Sequence, residues 1–482
     1  MYNFSARKGR YALVLFGALA AISASAQTFT SLASFQFGNG AGPNGALVQG
    51  ANGNLYGTVL YGGASYDGAI FSITPAGTLV MVHAFDFLDG EQPFGPLVLA
   101  TNGNFYGTTI AGGPTGAGSV YKMTARGQVT SLYGFCPDVG NCTDGAAPET
   151  GLVQGVDGNF YGTTDFGGAG NEGEGNGTLF KITPQGQLTT LHDFCPSSCG
   201  DGLGLTTPLV QGLDGNIYGV TAGAGNVNTD GGTFYRITPT GTLTTLYDFC
   251  SLSKCADGQQ PTGLMLAYDG NFYGTTVLGG STDAGTIFRV TSAGTLTTLY
   301  SFCSQAPCSD GDHPYAGLVQ GTDGNFYGMT EFGGTGEVGT IFRMTPSGKL
   351  TTLHQFAGSD GAYPSAPLTQ STNGLFYGTT YNGGTSTNCH IQGCGTVFSL
   401  DVRLVPFVEI LPVLGKVGSK IAILGNGLSD ASAVSFNGTA ASFAVISDTA
   451  MTAVVPAGAT TGRVEVTTTA GTLKSNVVFH VR

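Results

Sequence analysis

The stretch DGNFYGTT at residues 157–164 returns unchanged at 269–276, and its reading decides the fold. Near copies stand at 52–58 (NGNLYGT), 102–109 (NGNFYGTT), 214–221 (DGNIYGVT), 323–330 (DGNFYGMT) and 373–380 (NGLFYGTT). Their tyrosines are Tyr56, Tyr106, Tyr161, Tyr218, Tyr273, Tyr327 and Tyr377, each 50 to 57 residues from the next. Self-similarity at such a period is the mark of a propeller or a solenoid, in which one unit cannot bury its own faces.

One unit reads as four short strands. The first is 152–154 in the third copy. Asp-Gly or Asn-Gly follows, a dipeptide of two-residue hairpins whose central positions need positive φ. The quoted word is the second strand, its Phe and Tyr facing opposite ways to fill the gaps between units. The Gly after Tyr is expected to admit a neighbouring backbone. A Gly-rich loop leads to a third strand such as 286–291, and a turn such as 183–186 leads to a fourth such as 243–249. Hairpin-length connections exclude parallel crossovers. Four antiparallel strands in roughly 50 residues make a propeller blade.

The ends carry the decisive count. Second and third strands occur seven times, but the last copy stops after its third strand near Val402. A stray fourth strand opens the repeats at 29–35 and resembles 350–356. Pairing the two closes a ring and leaves no open sheet edge. The expected architecture is therefore all-β: a seven-bladed β-propeller of four-stranded blades over 28–402, closed by the N-terminal strand. Residues 408–482 lack the repeated word and cysteine. Their short alternating segments predict a small Ig-like β-sandwich.

Residues 1–26 read as a signal peptide. Arg7, Lys8 and Arg10 precede a short apolar run, and Ala24-Ser25-Ala26 is a small-residue cleavage pattern. The ten cysteines fall in close pairs: Cys136 with Cys142, Cys195 with Cys199, Cys250 with Cys255, Cys303 with Cys308, and Cys389 with Cys394. Behind a signal peptide this predicts loop-stapling disulfides and a secreted protein, extracellular, periplasmic or at the cell surface. A net charge of −13 excludes nucleic acid and anionic membrane surfaces as partners. No apolar segment after the leader is long enough for membrane insertion, and the chain is expected to be a monomer.

The repeats resemble the bacterial GloVer tandem repeat of secreted "choice-of-anchor" proteins. The matching text is GLVQGVDGNFYGTT (151–164) and GTLFKITPQGQLTTLHDF (177–194). The C-terminal part resembles an IPT/TIG immunoglobulin-like domain through GSKIAILGNGL (418–428), AVSFNGTAA (433–441), VVPAGATTGRVEVTT (454–468) and SNVVFHV (475–481). The resemblance implies a bacterial extracellular or envelope protein and brings no site residues with it.

In such a blade the turns after strands one and three lie on one face, and the long loops after strands two and four on the other. Every cysteine pair falls in the long set, so that face is where binding is expected. The long loops repeat Asp-Gly: Asp89, Asp144, Asp201, Asp257, Asp310 and Asp360. A ring of carboxylates suits Ca²⁺, whereas repetition in every blade favours a turn-forming Asp. The densest version, Asp310, Asp312 and His313, is the metal candidate. His83, His192 and His354 share a fourth-strand position with tyrosines and with Ala33, which argues against catalysis; His313 and His390 lie in loops. No phosphate loop or nucleophile elbow is present, and no catalytic residue is assigned. The sequence favours a secreted, non-enzymatic binding or surface-interaction protein whose partner is an extracellular glycan or surface protein. Its rivals are a polysaccharide-active lyase or hydrolase with a site at the channel mouth, for which Asp312, His313, Glu331 and Glu337 are the residues to follow, and a purely structural envelope protein.

Overall fold

The repeated word folds as a turn and a strand clasped to each other. In the computed structural model Val153 pairs with Tyr161 and Gln154 with Phe160. The Gly158 N–H donates to the Gly155 carbonyl at 2.9 Å and the Gly155 N–H to the Asn159 carbonyl at 2.8 Å. Only Gly158 of the Asp-Gly pair has positive φ, at 82°. The connection is thus a type I turn closed by a left-handed Gly, one residue longer than the expected hairpin. Asp157 selects it by accepting hydrogen bonds from the Asn159 N–H at 3.2 Å and the Tyr161 hydroxyl at 2.9 Å. Where the word begins with Asn the bond reverses, and the Asn102 amide donates to the Tyr106 oxygen at 2.9 Å.

The structure describes residues 27–138, 141–168, 175–195, 199–225, 231–386, 389 and 393–482. The expected signal peptide and His390 lie outside them. Seven consecutive sheets form the blades, and the first gains an extra short strand, Ala41–Pro43. The N-terminal strand Thr28–Ser34 pairs antiparallel with Thr396–Asp401 and completes the last blade. Closure is reinforced at Gln49, which is 3% exposed. Its amide bonds Ser371 Oγ at 2.7 Å, Thr372 N at 2.9 Å and Thr372 Oγ1 at 2.8 Å.

Aromatic rings fill the gaps between blades. Tyr106 meets Phe160 of the next blade at 4.1 Å between centroids, Tyr273 meets Phe326 at 4.2 Å, and Tyr327 meets Phe376 at 4.2 Å. The Gly after Tyr clears a ring, rather than the expected backbone, in most blades: a Cβ on Gly328 would stand 2.5 Å from Phe342 of the partner strand. In the fifth blade a Cβ on Gly274 would also strike the Gly263 carbonyl, at 2.1 Å.

The C-terminal domain is a two-sheet sandwich around Val408, Ile423, Phe436, Met451, Val464 and Phe479. It docks on the tight-turn face. Thr449 Oγ1 donates to the Ala51 carbonyl at 2.6 Å, Asn426 Nδ2 to Thr372 Oγ1 at 2.9 Å, and Arg482 Nη2 to the Leu213 carbonyl at 3.1 Å. Leu411, Pro412, Val413 and Leu414 stand beneath the innermost strands, beside Val98, Val153 and Leu266. The Ig-like domain therefore covers that end of the channel, and the mouth that remains belongs to the long-loop face.

Candidate functional site at the channel mouth

The long loops are held by the repeated Asp. Each takes a hydrogen bond from the fourth strand: His83 to Asp89 at 2.8 Å, Tyr133 to Asp144 at 2.7 Å, and His192 to Asp201 at 2.8 Å. The later blades repeat it, with Tyr247 to Asp257 at 2.7 Å, Tyr300 to Asp310 at 2.7 Å and His354 to Asp360 at 2.9 Å. Each Asp also receives backbone N–H groups of its own loop, such as Cys136 and Cys195 at 3.1 Å. The remaining loop shows the logic. Its fourth strand carries Ala33, which cannot donate, and its loop carries Asn39, whose Oδ1 accepts from the Gln36 N–H at 2.7 Å.

All five cysteine pairs expected from the spacing are disulfides, and they brace the same loops. Cys136 is joined to Cys142, Cys195 to Cys199, Cys250 to Cys255 and Cys303 to Cys308, each in the loop after a fourth strand. Cys389 is joined to Cys394 in the loop after the second strand of the last blade. None of these cysteines is free to ligate a metal.

These loops deliver one residue per blade to the channel mouth. A cavity of about 250 Å³ is lined there by Asn44, Phe94, Glu149, Thr206, Thr262, Tyr315 and Ser365, with Pro96, Gly151, Pro208, Gly317 and Pro367 beneath. In six blades the lining residue follows a Pro, and in the fourth it follows Leu205. The backbone repeats around the ring while the side chain does not: amide, phenyl, carboxyl, hydroxyl and phenol occupy equivalent places. Two positions before it, Gln92, Ala147, Gln260, His313 and Tyr363 all have φ between 51° and 56°. Left-handed backbone at bulky residues is costly and persists where the surroundings enforce it. Here each N–H is tied to the preceding blade, as His313 is to the Ala284 carbonyl at 3.0 Å.

The mouth is acidic and aromatic. Asp165 and Glu331 close their second strands beside the ring, and their N–H groups donate to the Ala147 carbonyl at 3.1 Å and the His313 carbonyl at 2.9 Å. The corresponding residues of other blades include Leu60, Ile110, Ala222 and Val277. Burial pushes the Glu149 carboxyl above its ordinary value, and the Asp165 charge adds to this. Burial also raises Asp165, opposed by the Leu205 N–H, and raises Glu331, opposed by His313. The Tyr315 phenol is raised by burial and then by the charges of Glu331 and Glu149. No ion pair among the described residues engages Glu149, Asp165 or Glu331.

The structure parts the metal trio. Asp310 is fully buried, and its two oxygens accept from Tyr300, Ser304 and Gln305. It has turned into the loop, as an Asx-type brace does. Asp312 instead accepts from His313 Nδ1 at 2.5 Å. Among the described residues no three His, Cys, Asp or Glu side chains gather as a metal site. None of the residues followed from the sixth blade, Asp312, His313, Glu331 and Glu337, lines the cavity; His313 and Glu331 lie just behind it, joined by the Glu331 N–H to the His313 carbonyl at 2.9 Å, and Glu337 is exposed. Sequence reading missed Asn44, Phe94, Glu149, Tyr315 and Ser365. The available signal was a position just after the loop Pro where an otherwise monotonous repeat changes residue in most blades.

Comparison with known proteins agrees with this architecture. The profile of the Gloeobacter/Verrucomicrobia repeat matches residues 1–173, 138–256 and 251–411, and that of the IPT/TIG domain matches 407–481. No curated protein matches the chain. Among solved structures, a fungal alcohol oxidase of the AA5 family in complex with copper superposes with a TM-score of 0.54 at 14% identity, covering 95% of this chain and 100% of that one. The extracellular domain of a putative hybrid two-component system from B. thetaiotaomicron gives 0.51 at 11% identity, covering 95% of this chain and 59% of that one. At such identities the likeness is one of fold.

Proposed function

The chain belongs to the Gloeobacter/Verrucomicrobia repeat family, and from that premise we propose that it is a secreted, non-enzymatic binding protein that engages an extracellular partner through the long-loop face of its propeller. One observation carries the reading. A repeated backbone presents a ring of largely non-repeated side chains at the mouth opposite the Ig-like domain, among the described residues. Rigid scaffolds with variable loop residues are how binding sites are grafted onto folds. The disulfides support an oxidising compartment, and no described helix is long and apolar enough to cross a membrane. Half-buried carboxyls in a cleft also favour a second reading, polysaccharide cleavage at the same mouth.

The test immobilises the mature chain and flows neutral, acidic and amino-sugar polysaccharides and basic and acidic polypeptides across it, assaying the eluate for released sugar. Binding that Tyr315→Ala abolishes and Gln185→Ala, on the tight-turn face, leaves intact is the expected result. Released sugar that is lost in Glu149→Gln would replace this reading with the enzymatic one.

A further inference from the structure

The cavity at the mouth has a chemistry of its own. Its floor is Pro and Gly, and its wall carries the Phe94 and Tyr315 rings. Two neutral polar groups on the wall satisfy each other: the Ser365 hydroxyl donates to Asn44 Oδ1 at 2.6 Å. Among the described residues the one charged lining group is the Glu149 carboxyl, which takes no hydrogen bond from any of them. Of the other polar lining groups, Thr262 Oγ1 donates to the Pro314 carbonyl at 3.3 Å and Thr150 Oγ1 bonds Thr163 Oγ1 at 2.9 Å, so most of what a sugar ring would ask for is already engaged. An apolar slot with aromatic faces and an uncompensated carboxylate suits a cation carried on a hydrocarbon stem.

We propose that the axial cavity is a subsite for a lysine side chain presented by a protein partner, its methylene stem lying between Phe94 and Tyr315 and its ammonium meeting Glu149. This rests on the binding reading above and names the chemistry of that site. The stem would cover apolar wall, and the ammonium would relieve the repulsion between Glu149 and Asp165. Burial holds both of these carboxyls above their ordinary values, so a cation is the complement they lack. The stem matters as much as the charge. A compact inorganic cation would need several oxygen ligands, and the cavity supplies one carboxylate.

The experiment titrates the intact mature protein with Nα-acetyl-lysine amide, by calorimetry and ligand-observed NMR. Nα-acetyl-norleucine amide is the stem without the charge, and glucosamine with glucose tests an amino sugar as the source of the ammonium. Lysine amide should bind, and norleucine amide should be at least about tenfold weaker, a difference of ~1.4 kcal/mol. Glu149→Gln should remove that preference, Phe94→Ala should weaken both ligands, and Glu337→Gln should change neither. Near-ultraviolet circular dichroism verifies that each variant is folded. Equal affinity for lysine and norleucine amides, or no binding of lysine amide, overturns the proposal, as does a preference for glucosamine over lysine amide. If lysine amide fails while Tyr315→Ala still abolishes capture of a polymer in the surface assay, only the lysine assignment falls. If both fail, the binding reading falls with it.

Discussion

Replacing Gln49 with Leu removes the amide that fastens the first blade to the last. Leu is sterically acceptable there, because Leu99 and Leu266 hold the equivalent position in the second and fifth blades. Gln49, Ser371 and Thr372 are 3%, 2% and 0% exposed. The substitution orphans the Thr372 N–H and the Ser371 hydroxyl, while Thr372 Oγ1 keeps its bond from Asn426. Two buried donors without partners cost about 1–3 kcal/mol each, so a loss of about 4 kcal/mol is expected. Gln320→Leu is the internal control. There the amide accepts the Tyr268 N–H at 2.8 Å and donates to the Gly324 carbonyl at 3.0 Å, in a half-buried setting. Its expected loss is about 1–2 kcal/mol. With an unfolding entropy of ~2.1 cal/mol/K per residue, a chain of this size shifts by roughly 1 °C per kcal/mol if it melts in one step. Scanning calorimetry should therefore place Gln49→Leu about 4 °C and Gln320→Leu about 1–2 °C below the parent. Limited proteolysis should release the N-terminal strand first in Gln49→Leu alone. Equal shifts, or unchanged proteolysis, would show that ring closure does not depend on this amide.

Gly328→Ala places a methyl 2.5 Å from the Phe342 ring, and should cost about 1–3 kcal/mol by overpacking in chemical unfolding. Asp323→Asn should be nearly neutral, since Asn52, Asn102 and Asn373 already hold their tyrosines from the same place; Asp323→Ala, which drops the bonds to Tyr327, Asn325 N and Asn325 Nδ2, should lose about 2–3 kcal/mol. Chelator should leave the melting temperature unchanged, because the loop Asp side chains are satisfied by protein donors; a Ca²⁺-dependent rise would restore the metal reading. Burial pushes the Glu409 carboxyl up to about 7 from 4.5. The folded chain then holds a proton that the unfolded chain releases, so stability falls as pH rises from about 4.5 to 7. Glu409→Gln should be more stable than the parent above pH 7, by ~1–2 kcal/mol given the residue's partial exposure, and equal to it near the ordinary carboxyl range.

The ring was legible in the chain because its determinants are local and repeated. Seven Tyr-Gly words, the hairpin spacing and the displaced strand at 29–35 need no tertiary information, since a strand count that closes only by joining the ends admits one topology. The cysteine pairs were legible for the same reason, each partner lying within six residues of the other. The loop Asp residues were visible but ambiguous, because a carboxylate's role depends on where its oxygens point. Only the fold turns Asp310 inward to Tyr300 and leaves Glu149 bare at the mouth. The three-dimensional arrangement alone decided which face is open, since Thr449, Asn426 and Arg482 reach turns separated from them by tens to hundreds of residues. It also decided the site. A propeller gathers one residue from each distant blade at its axis, so Phe94, Glu149 and Tyr315 become neighbours through ring closure and through nothing in their own surroundings along the chain.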